Sequence, residues 1–462
     1  MQNELFESTA IPKAYLKLAL PVVMSMVVTL IYNMVDTYFI AMTGSTDLIA
    51  GVSVCAPVFT FMMAMGDLWG LGGSSVISRL LGEGRGEDGK RLSIFCFWGA
   101  AVLGAVAAAV MLLFRTPILT FLGADVGTLP YAIQYYSWLS LGAPLIVFSL
   151  VPSNLLRTEG AANASMTGSV LGAVINMILD PIFILGFGMG AKGAAIASVI
   201  GYICTDIFYV IYIARKVPGL SMNPRRLSIT GREVGMILSI GLPSAVTNFM
   251  QSIGMTITNR SLLPYGNEPI AMMGIALKIV NIAALVLVGL AFGGQPLIGY
   301  TYGARNRERL SKVIRFGYLV TMGTGLFLSV LLGLLSKVFV GAFVKDQGLI
   351  VMGAEMLRLQ LVGMVFMGAA TVTICIFQST GKSIPAFLMS ICRQGFVYAI
   401  VMAVASSAFG YMGVISAQAV TDVITVVIAV ILLRATLGKE LRAEPTSEKE
   451  PATDQQAQAT GK

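Results

Sequence analysis

Apolar and polar positions alternate along this chain on the scale of whole helices. Long apolar runs fall at 15–41, 50–81, 92–114, 127–151, 161–186, 193–214, 234–260, 270–302, 313–336, 350–378, 383–408 and 412–434, separated by short polar loops. About 20 residues at 1.5 Å each match a hydrocarbon core of roughly 30 Å. The pattern predicts an all-α polytopic membrane protein with twelve transmembrane helices. No interval between runs accommodates a large water-soluble domain, and an even count places both termini on one side. The start "MQNELFESTAIPK" is polar, and the first apolar run has no cleavage site of small residues, so it reads as a retained span.

The pattern repeats. Aligning "LALPVVMSMVV" (18–28) with "IGLPSAVTNFM" (240–250) sets Pro21 against Pro243. In the same alignment "GLGGSSVISRLLG" (70–82) meets "AFGGQPLIGYTYG" (291–303), pairing Gly72-Gly73 with Gly293-Gly294 and Gly82 with Gly303. An Arg-Leu-Ser follows in each half, at 91–93 and 309–311, and Gly160 later meets Gly381. Two sets of six spans that begin on the same side describe two lobes related by an axis along the membrane normal, with a substrate cavity between them. The expected organisation is an N-terminus at 1–14, an N-lobe at 15–215, a connecting loop at 216–232, a C-lobe at 233–434 and a polar, disordered tail at 435–462.

Composition agrees with this reading and adds orientation. Hydrophobic residues make up 56% of the chain and charged residues 12%, against roughly 25% charged in soluble domains. Of 31 Lys and Arg, 23 fall on the side of the termini and five on the other, the bias expected of a cytoplasmic N-terminus in a cell (inner) membrane. That distribution accounts for the net charge of +8 without nucleic acid, because the basic residues are spread over short loops with no aromatic interleaving. The five cysteines all lie in apolar runs and read as packing residues. There is no histidine, so proton chemistry falls to carboxyl groups. No nucleotide motif, metal-ligand cluster or paired catalytic set is present, which argues against an enzyme. The expected partners are membrane lipids and small molecules, the expected state a monomer, and no cofactor is expected.

Several motifs resemble one family. "VDT" in the first span, "GGSSVISRLLGEGR", "NMILDPIFILGFGMGAKGAAIAS" (176–198) and "GGQPLIGYTYGARNRERL" (293–310) look like the signatures of MATE (multidrug and toxic compound extrusion) transporters, in their MepA-like and DinF-like bacterial branch. The resemblance implies two six-helix lobes, ion-coupled antiport and export of mostly cationic amphipathic drugs. A lipid-linked precursor or polysaccharide flippase of the same superfamily is the alternative, and it predicts a more basic cavity.

Candidate site residues follow from buried charge. Asp36 sits in "MVVTLIYNMVDTYFIAM" with no Lys or Arg within a helical turn. A carboxyl group in a bilayer core normally faces a cavity or a partner and marks function, and one without a cation is suited to exchange a proton. The plainer reading is an aspartate hydrogen-bonded to another helix. Tyr32, at i−4, shares its face. Asp180 precedes Pro181, with Asn176 one turn earlier; such residues also satisfy backbone groups freed by proline. In MATE proteins an aspartate of the first span joins an Asn/Asp pair of the fifth and a hydroxyl of the sixth, which maps onto Asp36, Asn176, Asp180 and Ser198. Asn154, ending the fourth span, is a further candidate. Acidic ligands found in the C-lobe of some members are replaced here by Gln251 and "TVTICIFQ", which favours coupling through the N-lobe, by protons before sodium. Pro21 reads as a hinge on the Asp36 helix, and Gln251, Met255 and Lys278 as cavity residues. Glu355 and Arg358, at i,i+3, are expected to neutralise each other. Arg393 reads as a cavity residue or a helix anchor.

Overall fold

The computed structural model describes residues 2–442. A short helix, α1 (Gln2–Glu7), precedes α2 (Ile11–Ala41), which runs unbroken through Pro21. The second apolar run divides at Cys55 into α3 (Thr46–Val54) and α4 (Ala56–Gly82), with Pro57 in the first turn, where its missing N–H costs nothing. After α5 (Gly86–Leu113) and a short α6 (Arg115–Phe121), the fourth run bends by 50° between α7 (Leu129–Leu141) and α8 (Ala143–Thr158). α9 (Ala162–Asp180) and α10 (Gly190–Lys216) complete the first half.

A capping box between Thr230 and Glu233 starts α11 (Gly231–Leu262), followed by α12 (Asn267–Gly303), α13 (Arg307–Leu334) and a short α14 (Ser336–Gly341). The tenth run divides at Gly363 into α15 (Gln347–Val362) and α16 (Met364–Ser379). α17 (Ser383–Gln394) and α18 (Phe396–Arg442) end the described chain, α18 being broken at Gly410, where φ is 55°. The last helix thus continues past 434 to Arg442, and the rest of the expected tail, 443–462, lies outside the described residues.

Among the described residues nine helices are long and apolar enough to span, or ten with the bent pair α7–α8. The count of twelve is completed by α11, whose Thr247, Gln251 and Thr258 lower its hydropathy, and by dividing the last stretch at Gly410. The repeat is visible in the breaks themselves. Gly142 and Gly363 divide equivalent runs and lie 221 positions apart, as do Gly82 and Gly303.

One buried core is built mostly from the first six spans, including Met62, Phe97, Tyr136 and Tyr209, and is joined by Ile237 and Ile240 of α11. Another belongs to the last six and includes Met273, Leu357 and Tyr398. The lobes meet at one end, where α4 lies against α11 and α2 against α12. The contact is backbone on backbone: a methyl group on Gly82 would stand 2.1 Å from the Tyr300 carbonyl oxygen, and one on Gly303 would stand 2.1 Å from that of Arg79. These two glycines are repeat mates, so the lobe contact has the pseudo-symmetry seen in the sequence. Ser75 donates to the Gln378 carbonyl across the same interface. α2 is buried mainly between Ala14 and Val22 and beyond that only at Ile40, and its contact with the C-lobe, which runs through Ala19 on Gly293 and Val23 on Gly289 of α12, closes this end of the molecule.

The closed end also holds α1. Leu5 and Phe6 are buried, Phe6 stacks on Tyr300 at 4.9 Å, and the Tyr300 hydroxyl donates to Glu7 at 2.5 Å. Arg309 donates to the carbonyls of Phe6 and Thr9, both at 2.7 Å.

Two charges within the C-lobe spans neutralise each other. Arg393 of α17 meets the nearly inaccessible Asp422 of α18 at 3.1 Å, and Gln418 donates to the same carboxylate at 3.2 Å. Arg393 is thereby a helix anchor. Arg358, expected to pair with Glu355, instead donates to Ser336 at 2.9 Å, and no ion pair joins it to Glu355 among the described residues. Removing one member of a buried pair leaves an uncompensated charge, so Arg393→Met is expected to cost about 3–5 kcal/mol. Adding Asp422→Leu is expected to restore most of that loss, as read by thermal unfolding in detergent; a single variant as stable as the parent would contradict the role.

Candidate functional site

The candidate site is assembled at the far end of the N-lobe from helices that small residues bring into contact. A methyl group on Gly172 of α9 would lie 2.0 Å from the Thr205 hydroxyl, and one on Gly201 of α10 would lie 2.8 Å from the Gly172 carbonyl. Backbones this close let short polar side chains meet across the interface. Asn176, one turn after Gly172, donates to Ser198 at 3.2 Å and to Asp180 at 3.4 Å. Tyr32 of α2 reaches the same Ser198 hydroxyl at 3.4 Å.

Pro181 has no N–H to continue the α9 ladder, and the chain widens into a π-helical turn over Pro181–Gly186. Asp180 ends the regular helix there, fully buried. Asp36, one turn beyond Tyr32, lies within electrostatic range of Asp180. One carboxyl oxygen of each aspartate is buried without a hydrogen-bond partner, as is the side-chain oxygen of Asn176. The structure therefore brings together Tyr32, Asp36, Asn176, Asp180 and Ser198.

Other candidates lie elsewhere. Asn154 is buried on α8, where it donates to the Leu150 carbonyl at 2.8 Å and accepts from Arg157, so its polar groups are engaged away from the two aspartates. Pro21 lies fifteen positions before Asp36, at the edge of the buried part of α2, and Ser25 donates to its carbonyl at 2.9 Å. Gln251 and Met255 are exposed on α11 and Lys278 on α12. One participant was not anticipated. Tyr135 of α7 is within electrostatic range of Asp36, Tyr32 and Asp180; its aromatic run "YAIQYYSW" offers no sign of which ring turns inward.

Among the described residues no ion pair joins either carboxyl group to a cation. Lys192 sits over the Trp138 ring at 5.6 Å instead. The repeat-equivalent positions of the C-lobe are neutral: Asp36 is matched by Thr258, whose hydroxyl bonds to that of Tyr398 at 2.6 Å, and Asn176 and Asp180 by Val397 and Val401. Unbalanced acidity of this kind suits a small cation or a proton, and no group of three or more metal-type ligands occurs among the described residues.

Two pseudo-symmetric six-helix lobes around a central cavity define a membrane transporter. A MatE family model matches residues 21–182 and 243–405, one segment in each lobe, and the chain belongs to that family. It is 29% identical over 431 residues to the multidrug export protein MepA of Staphylococcus aureus (strain NCTC 8325 / PS 47), covering 93% of this chain and 94% of that protein. To the MepA of Staphylococcus saprophyticus it is 27% identical over 428 residues, with the same coverage. Among solved structures, the outward-facing conformation of a multidrug resistance MATE family transporter of the MOP superfamily superposes with a TM-score of 0.90 at 24% identity, over 96% of this chain and 99% of that one. A MOP superfamily transporter from Pyrococcus furiosus, described as having a binding pocket of reversed polarity that suggests a different function, superposes with a TM-score of 0.89 at 24% identity, over the same shares.

Proposed function

We propose that this protein is a proton-driven antiporter that exports cationic amphipathic compounds by alternating access. The observation that carries the reading is the unbalanced acid cluster of Asp36 and Asp180, placed in one lobe only, while the matching region of the other lobe is neutral. In the proposed cycle substrate enters between the lobes from the cytoplasm, the lobes rock about the closed end, and protons arriving at Asp36 and Asp180 from outside promote release. Loss of charge on the two aspartates removes the electrostatic attraction for an organic cation, so protonation and substrate binding oppose each other. Pro21 acts as the hinge on α2. It interrupts the helix hydrogen bonding between the part held by the C-lobe and the part that carries Asp36. The bias of Lys and Arg towards the loops on the side of the termini supports a cytoplasmic placing of the closed end and both termini. The relatives' names support drugs as the substrate class.

The exposed Lys278 on α12 is the observation that favours a second reading, a flippase for an anionic lipid-linked precursor. Everted vesicles offered a fluorescent organic cation and, separately, a fluorescent lipid-linked pyrophosphate decide between them. Energised uptake of the cation alone is the expected result; movement of the lipid alone would replace the first reading with the second.

A further inference from the structure

The acid cluster does not end at Ser198. Ser198, Tyr202, Asp206 and Tyr209 recur at helical spacing on α10, sharing one face over roughly 16 Å of helix. Tyr202 is within electrostatic range of Tyr32 at one end and of Asp206 at the other. Tyr209 bonds to the Ser169 hydroxyl at 2.9 Å, donates to the Ser165 carbonyl at 2.7 Å, and interacts with Arg157. The stripe thus leads from the acid cluster towards the closed end of the molecule.

At its far end the charges do not balance. Arg157 of α8 is buried; it donates to Asn154 and the Ser153 carbonyl, and the carboxylate it interacts with is Asp67 of α4. Those two charges compensate each other and leave Asp206, which is 6% exposed. Neither carboxyl oxygen of Asp206 has a hydrogen-bond donor in bonding geometry, and no ion pair includes it among the described residues. Ser149 of α8 is set against it, and its titratable neighbours are Tyr202 and Tyr209 on its own helix, with Arg157 beyond Tyr209. A lone ionised carboxylate in such surroundings is strongly disfavoured.

We propose that Asp206 is a second proton-binding site, a station on the closed-end side of the Asp36–Asp180 cluster. Its carboxylic acid gives its O–H proton to water when the closed end opens, and the carboxylate so formed regains a proton along the Ser198–Tyr202 stripe. No covalent change beyond this transfer occurs. The part Asp206 plays in transport rests on the proton-coupled reading above, but its protonation does not.

The test is pH-difference infrared spectroscopy of the full chain in lipid, made in the Asp36→Asn/Asp180→Asn background. A carboxylic acid C=O band that titrates should remain there and disappear on adding Asp206→Asn. Asp206→Glu should shift the band without abolishing it, which keeps the test decisive where the Asn variant fails to fold. A band untouched by either substitution, or one removed at fixed pH by Na⁺, overturns the proposal. Failure of the coupling reading shows separately, as gradient-driven export unchanged by the double substitution Asp36→Asn/Asp180→Asn in the otherwise native chain.

Discussion

Asp36→Asn is expected to abolish accumulation of substrate against its gradient while leaving downhill exchange in place. The amide keeps the size of the carboxyl group and its capacity to accept from a neighbouring hydroxyl, but it cannot carry a proton. Each proton moving down one pH unit supplies about 1.4 kcal/mol, equivalent to a tenfold substrate ratio. With a difference of one pH unit across everted vesicles, the accumulation ratio is expected to fall by about tenfold for each proton no longer carried. Asp36→Glu, which keeps the acid, should retain part of the activity. An Asn variant that accumulates substrate as well as the parent would remove Asp36 from the coupling machinery and leave Asp180 to carry it alone.

The second large effect concerns the closed end. A side chain at Gly82 or Gly303 would run into the carbonyl of Tyr300 or Arg79, each only 2.1 Å from where its first carbon would lie. Gly82→Leu and Gly303→Leu are expected to hold the lobes apart at this end, at an overpacking cost of about 1–3 kcal/mol. A bias of about 1.4 kcal/mol changes the ratio of open to closed molecules tenfold. Ser75 is 1% exposed at this interface and reports on it directly. In a Ser75→Cys background, labelling by a membrane-impermeant maleimide from the side of the termini should quicken by about tenfold or more in either Leu variant, with transport lost. Labelling as slow as in the parent would show that the glycine contacts do not control the closed state.

The sequence already disclosed the spans, because a bilayer requires an unmistakable length of apolar chain, and the repeat, because the glycines that bring backbones together cannot be replaced without a clash. The equivalent breaks at Gly142 and Gly363 follow the same register but are silent in an apolar profile. α1 was read only as a polar terminus: six residues have no periodicity to detect, and their helix is held by Tyr300 and Arg309, some 300 positions away. Asp36, Asn176 and Asp180 were legible as polar residues in apolar runs and Ser198 only through the family resemblance, and packing does bring the four together. Asn154 met the same criterion, yet Arg157 three positions on engages it, an outcome decided by rotamers rather than by spacing. Tyr135 was illegible for the opposite reason, being a residue type that fills lipid-facing and cavity-facing positions alike.

The central claim is that protons acting in the N-lobe drive export. Purified protein reconstituted in proteoliposomes, with a pH difference and a Na⁺ difference imposed one at a time at zero membrane potential, tests it most directly. The account predicts that the pH difference alone drives uphill movement of a fluorescent organic cation and that the Na⁺ difference alone does not. Uphill movement driven by Na⁺ at equal pH on both sides would contradict it.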